Sequence, residues 1–361
     1  MFITDSEYDR TKEKSIHATL PKRHGTITLA NSGQNDSKDI LDQANELRAA
    51  QKYDDAEKLY NQVKAENPGS AKALEAQKQL IHLAIDKNNL TQADTFFNQM
   101  VTEFAQTAGL DEAVYVTGMD IQYTRWNSAK ANNFHKYNLE HFPETKFGMM
   151  SNVEIIRSYL RDGNKIADAE VEKWLAAYKD QPDQAMGIYQ IARAYVGNNK
   201  IEKGQQLYDF AIKNHSDHVY GKLAKVRYNI TNKDFDAADQ AADSLIASAE
   251  KNEDAREGIR ELADLYRDKK EYTRAAHFYK AEIANWPNTE DIVNPYREAV
   301  YCYINAKDIQ NADALIGQMQ TDLAKNPNLA RTNFDIGNYF LNTAKDTENA
   351  MKIHAYNAEH Y

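Results

Sequence analysis

The sequence is poor in the residues that interrupt helices or cross-link chains. Its 361 residues include one cysteine, seven prolines and fourteen glycines. A single cysteine, Cys302, excludes an intramolecular disulfide and a cysteine-based zinc site. It lies in "REAVYCYINA" among apolar neighbours, where an inert buried thiol is expected. Scarce proline and glycine argue against a turn-rich β architecture. No run of 18 apolar residues occurs, so no transmembrane helix is expected. The N-terminal "MFITDSEYDRTKEK" lacks the apolar stretch of a secretory signal. There is no excess of positive charge: 44 basic residues face 54 acidic ones, a net of −10. That balance argues against a nucleic-acid partner, whose binding rests on clustered Lys and Arg. Catalytic signatures are missing too: no G-x-S-x-G, H-E-x-x-H, G-x-x-x-x-G-K-[ST] or G-x-G-x-x-G is present.

What the sequence does contain is a period. "YDDAEKLYNQVKAENPGSAKA" places Tyr53, Ala56 and Tyr60 at helical steps and follows them with Pro68. "YTRAAHFYKAEIANWPNT" repeats the arrangement more than two hundred residues later. A small residue recurs at Ala56, Ala93, Ala131, Ala169, Gly204, Ala238, Ala275, Ala312 and Ala350, at separations of 37, 38, 38, 35, 34, 37, 37 and 38. A period of 34–38 fits two helices, a turn and a link. In "IYQIARAYVGNNKIEKGQQLYDFAIKN", Ile188, Ile191, Ala192 and Tyr195 share one helical face. Ile201, Gly204, Tyr208, Ala211 and Ile212 share another, with "GNNK" as the turn. Pro68, Pro143, Pro182, Pro287 and Pro327 fall just beyond the second helices, where proline ends a helix. The small residues then sit where paired helices cross closely.

This pattern resembles the tetratricopeptide repeat, or TPR. The resemblance implies an all-α, right-handed superhelical solenoid of about nine helix-turn-helix units over residues 38–361. Residues 1–37 stand apart from the repeat, as a flexible leader or as an arm that docks. The pattern weakens in the third, fourth and last units. There Ser128 and Thr347 replace a large residue, and Lys173 and His354 replace an aromatic. Arg157 stands where the fourth unit's first helix should carry a small residue, so a kink or register shift is expected between residues 120 and 180. The ending "NAMKIHAYNAEHY" shows no polar capping element. The chain therefore reads as part of something longer, with Ile336, Phe340, Met351 and Ile353 left uncovered. "YNLEHFPETKFG" and "YNQVKAENPGSAKA" are also similar to the unit endings of repeat proteins of the bacterial cell envelope.

By that resemblance the first helix of each unit lines a concave face on which a protein or peptide lies. The residues three before and one after each first-helix packing position are expected to point inward. From the fifth unit on, these include Tyr189, Arg193, Arg227, Arg260, Arg297 and Tyr301. Arginine offers a planar fork for carboxylates, and both residue types are common interface anchors. They either form a groove for an acidic or extended polypeptide or pair with neighbouring Glu261, Asp264 and Glu298. Asn45 and Lys78 match the family's carboxylate clamp only in part. No metal, cofactor or catalytic residue is expected. His215, Asp217 and His218 in "HSDH" lack a third ligand, and "RDGNKIADAE" lacks the ligand order of a calcium loop. The functional expectation is a non-catalytic scaffold within a multi-protein complex, with the bacterial envelope slightly favoured over the cytoplasm. The alternative is the regulatory or substrate-recruiting region of a larger enzyme or secretion machine.

Overall fold

The computed structural model describes residues 39–124, 128–248 and 253–361. The leader expected over residues 1–37 lies outside them. Among the described residues the chain is all-α and forms two compact units, one up to Lys200 and one from Ile201.

The first unit contains α1 (Ile40–Ala49), α2 (Tyr53–Glu66), α3 (Ala71–Asp86), α4 (Leu90–Glu103), α5 (Leu110–Thr124), α6 (Ser128–His141), α7 (Lys146–Arg161), α8 (Ala167–Ala177) and α9 (Gln184–Gly197). The second contains α10 (Ile201–Asn214), α11 (Val219–Thr231), α12 (Phe235–Ser248), α13 (Glu253–Asp268), α14 (Tyr272–Asn285), α15 (Val293–Asn305), α16 (Ile309–Asp322), α17 (Leu329–Tyr339), a π-helical turn (Phe340–Ala344) and α18 (Thr347–His360).

Among the described residues, eight of the turns between helices hold one residue in the left-handed region. Gln51, Asn88, Gly163, Asn199, Lys233, Lys270, Lys307 and Lys345 all have φ between 55° and 66°. The following amide then donates back across the helix end: Lys52 to Leu47, Asn89 to Ala84, Asp234 to Asn229, Glu271 to Tyr266 and Asp308 to Tyr303, each at 2.8 or 2.9 Å. This satisfies orphan carbonyls and reverses the chain. The residue after the turn often caps the next helix, as Asn89, Asp308 and Asp346 do through their side-chain oxygens.

The small residues of the ladder are buried in eight of nine positions. The exception is Ala169, which is exposed; the fourth unit instead buries Ala167, Val171 and Trp174. The register therefore shifts by two residues, and the intervals around it become 36 and 37. Arg157 is accommodated by an ion pair with Glu154 at 2.6 Å. The uncovered stripe expected at the ninth unit is mostly covered. Ile336, Phe340 and Ile353 are buried, because α17, the π turn and α18 pack on one another, and only Met351 is exposed.

Candidate functional site

The six residues expected to face a partner divide by position on their helices. Tyr189 is 0% exposed and belongs to the core, so it presents no partner-binding surface. Arg260 is also drawn inward. It pairs with Glu282 of α14 and, at 2.5 Å, with Asp291 before α15. Its side chain is 12% exposed. The reason is geometric. A residue three before a packing position lies about 60° away around the helix, inside the apolar stripe, whereas the residue one after lies about 100° away. The 'three before' position therefore puts Tyr189 and Arg260 inside, whereas Arg297, at the same position in its own helix, stays partly exposed.

Arg256 joins Arg260 in this interior. It pairs with Glu253, contacts Glu282 at 3.2 Å and contacts Asp291 at 3.1 Å. Burial pushes the Glu282 carboxyl above its ordinary range against the pull of both arginines. At Asp291 burial pushes the same way, but Arg260 and Arg256 prevail and hold the carboxyl below it. Two arginines and three carboxylates thus fasten α13 to α14 and to the approach to α15. Sequence reasoning missed this cluster because its partners come from three different elements.

The rim positions form a different surface. In the second unit, Arg227 of α11 pairs with Glu261 of α13 at 2.8 Å. Arg267 of α13 reaches Glu298 of α15 at 2.9 Å, and Arg297 lies 3.2 Å from the same carboxylate. Arg297 is 29% exposed. One step on, the Tyr301 ring stacks on Tyr339 of α17, with centroids 3.9 Å apart and planes 18° from parallel. The Asn305 amide donates to the Tyr339 hydroxyl at 2.7 Å. Tyr339 was absent from the expected set, although it stands one repeat beyond Tyr301. In the first unit, Arg193 donates to Gln190 at 3.1 Å and lies 5.9 Å from the Tyr189 ring centroid.

The arrangement is helix, left-handed turn, helix and link, repeated along the chain. The fold is a TPR-like all-α solenoid. No protein-family model and no curated protein matches the chain. Among solved structures, it is similar to a human IFIT1 dimer with PPP-AAAA at 13% identity, covering 99% of this chain and 82% of that one, with a TM-score of 0.39. The TPR domain of P58(IPK) is matched at 14% identity, with coverages of 89% and 92% and a TM-score of 0.22. Yeast Tom70 is matched at 12%, with coverages of 89% and 75% and a TM-score of 0.31.

Other candidate chemistry resolves into structure. The His218 side chain accepts from the Tyr220 amide as the cap of α11. Among the described residues, no group of three or more His, Cys, Asp or Glu side chains is placed to hold a metal, and no helix is long and apolar enough to cross a membrane. Cys302 is buried, and burial pushes its thiol up to about 12, far from a reactive thiolate.

Proposed function

We propose that the chain is a non-catalytic scaffold that binds an extended polypeptide on the first helices of its second unit. Arg297 and Tyr301 of α15 are its anchors, and Arg227 of α11 lies further along the same set of helices. The reading rests mainly on the stacked Tyr301–Tyr339 pair next to the partly exposed Arg297. A preformed aromatic platform beside a guanidinium suits a peptide carrying a carboxylate and an apolar side chain, and little side-chain freedom remains to be lost on binding. Arg227 and Arg297 already have carboxylate neighbours, so an acidic ligand exchanges ion pairs there and gains less than it would from unpaired arginines. The likeness of the endings "YNLEHFPETKFG" and "YNQVKAENPGSAKA" supports a partner in the bacterial envelope.

The test begins with affinity capture of the intact chain and identification of its partner. The double variant Arg297→Ala, Tyr301→Ala is expected to weaken that partner at least tenfold with unchanged helicity by circular dichroism. Affinity within twofold of the original rejects this surface.

A further inference from the structure

A second surface lies on the other helices of the second unit. Between α14 and α16 is a cleft of about 310 Å³. Its walls are the apolar Ile283, Ala284, Pro287 and Leu315. At one rim stands Asp322, the last residue of α16. The Tyr296 hydroxyl donates to Asp322 Oδ2 at 2.7 Å, and the Gln318 amide donates to the same oxygen at 3.1 Å. Both donors hold one oxygen, which fixes the carboxylate and leaves Oδ1 to accept from elsewhere.

The backbone adds to the local negative potential. Ile283 and Ala284 belong to the last turn of α14, and Asp322 ends α16 one turn beyond Gln318. Each helix C-terminus carries a partial negative charge, and neither last turn contains a basic residue to offset it. A fixed carboxylate, two helix C-termini and an apolar trough therefore converge. The ligand group that matches all three is a long alkyl chain ending in a cation. We propose that this cleft receives an arginine or lysine side chain of a partner polypeptide, its methylenes on Ile283, Pro287 and Leu315 and its charged head on Asp322 Oδ1. Arginine and lysine lay their methylenes along apolar surface while keeping the head polar, which is the geometry this cleft offers. The chain's net charge of −10 favours approach of a basic segment. Lys280 also lines the cleft and supplies the converse possibility, an anionic side chain.

Methyl NMR of the full chain, titrated with Nα-acetyl-arginine amide, tests the assignment. Saturable shifts of the Ile283 and Leu315 methyls are expected, weakened at least fivefold by Asp322→Asn. The neutral isostere Nα-acetyl-citrulline amide should give no saturable shift. Equal binding of the citrulline compound, unchanged affinity in Asp322→Asn, or silence at both methyls overturns the proposal. So does a response to Nα-acetyl-glutamate amide in place of the arginine compound.

Discussion

His135 of α6 is a costly residue in the core of the first unit. It is fully buried, and neither ring nitrogen has a hydrogen-bond partner. The ring lies over Gly118 of α5, where an added Cβ would come within 2.8 Å of it. Burial drives its pKa down to about 4, against the pull of the nearby Glu154 carboxylate. The folded state therefore keeps His135 neutral, while the unfolded chain takes up a proton as pH falls below 6.5. The stabilisation is complete above that value and is lost as pH falls from 6.5 towards 4. Between pH 7 and 5 this residue alone should cost about 2 kcal/mol of stability. Urea denaturation of His135→Leu should show that increment removed. An equal pH dependence in both proteins would mean that His135 is hydrated or partnered in solution. This residue's state was not legible beforehand, since burial of a histidine depends on what stacks above it.

At the scale of elements, the charged cluster around Glu282 decides how α13, α14 and α15 are held. Glu282 is 0% exposed and touches both Arg256 and Arg260. Replacing it with alanine leaves two guanidinium groups in a buried site with only Asp291 and Glu253 beside them. Removal of one member of a buried ion pair typically costs about 3–5 kcal/mol. Glu282→Ala is expected to fall in that range by chemical denaturation, whereas breaking a solvated surface pair such as Lys352–Glu348 should leave the midpoint nearly unchanged. A loss at Glu282 no larger than the surface value would show the cluster to be well hydrated. The elements themselves were readable from the sequence, because apolar steps of three and four and proline stops mark helices directly. Arg260 was misread because a helical wheel gives an angle but not the neighbour that fills it.

Over the whole molecule, the repeat makes stability local. Units contact their sequence neighbours, so a lesion should spread little along the array. Ala275 is 0% exposed at the crossing within the α13–α14 pair. Ala275→Leu forces extra methylenes into that crossing and should destabilise by about 1–3 kcal/mol. Amide hydrogen exchange should speed up in α13, α14 and α15 while α2, α3 and α4 keep their protection. Uniform loss along the chain would mean that the array unfolds as one body. The nine-unit period was legible because the small residues have no substitute at a close crossing. A register shift was legible between residues 120 and 180, but its two-residue size at Ala167 was not, since Ala167 and Ala169 are the same residue type, and only Trp174 decides between them.

The left-handed turns have a consequence for how such a chain changes length. From α11 to α16 every turn within a helix pair has three residues, at 232–234, 269–271 and 306–308. The links between pairs vary instead: four residues at 215–218, seven at 286–292 and six at 323–328. Drift in the period is therefore taken up in the links of this stretch, where the joints act as a fixed gauge; the α7–α8 joint of the first unit, at 162–166, is two residues longer. A library of single-residue insertions, sorted for folded protein, should accept additions at 286–292 and reject them at 306–308. In the second unit length variation gathers on one side of these repeats, as growth does at the sutures of a skull and not within its plates.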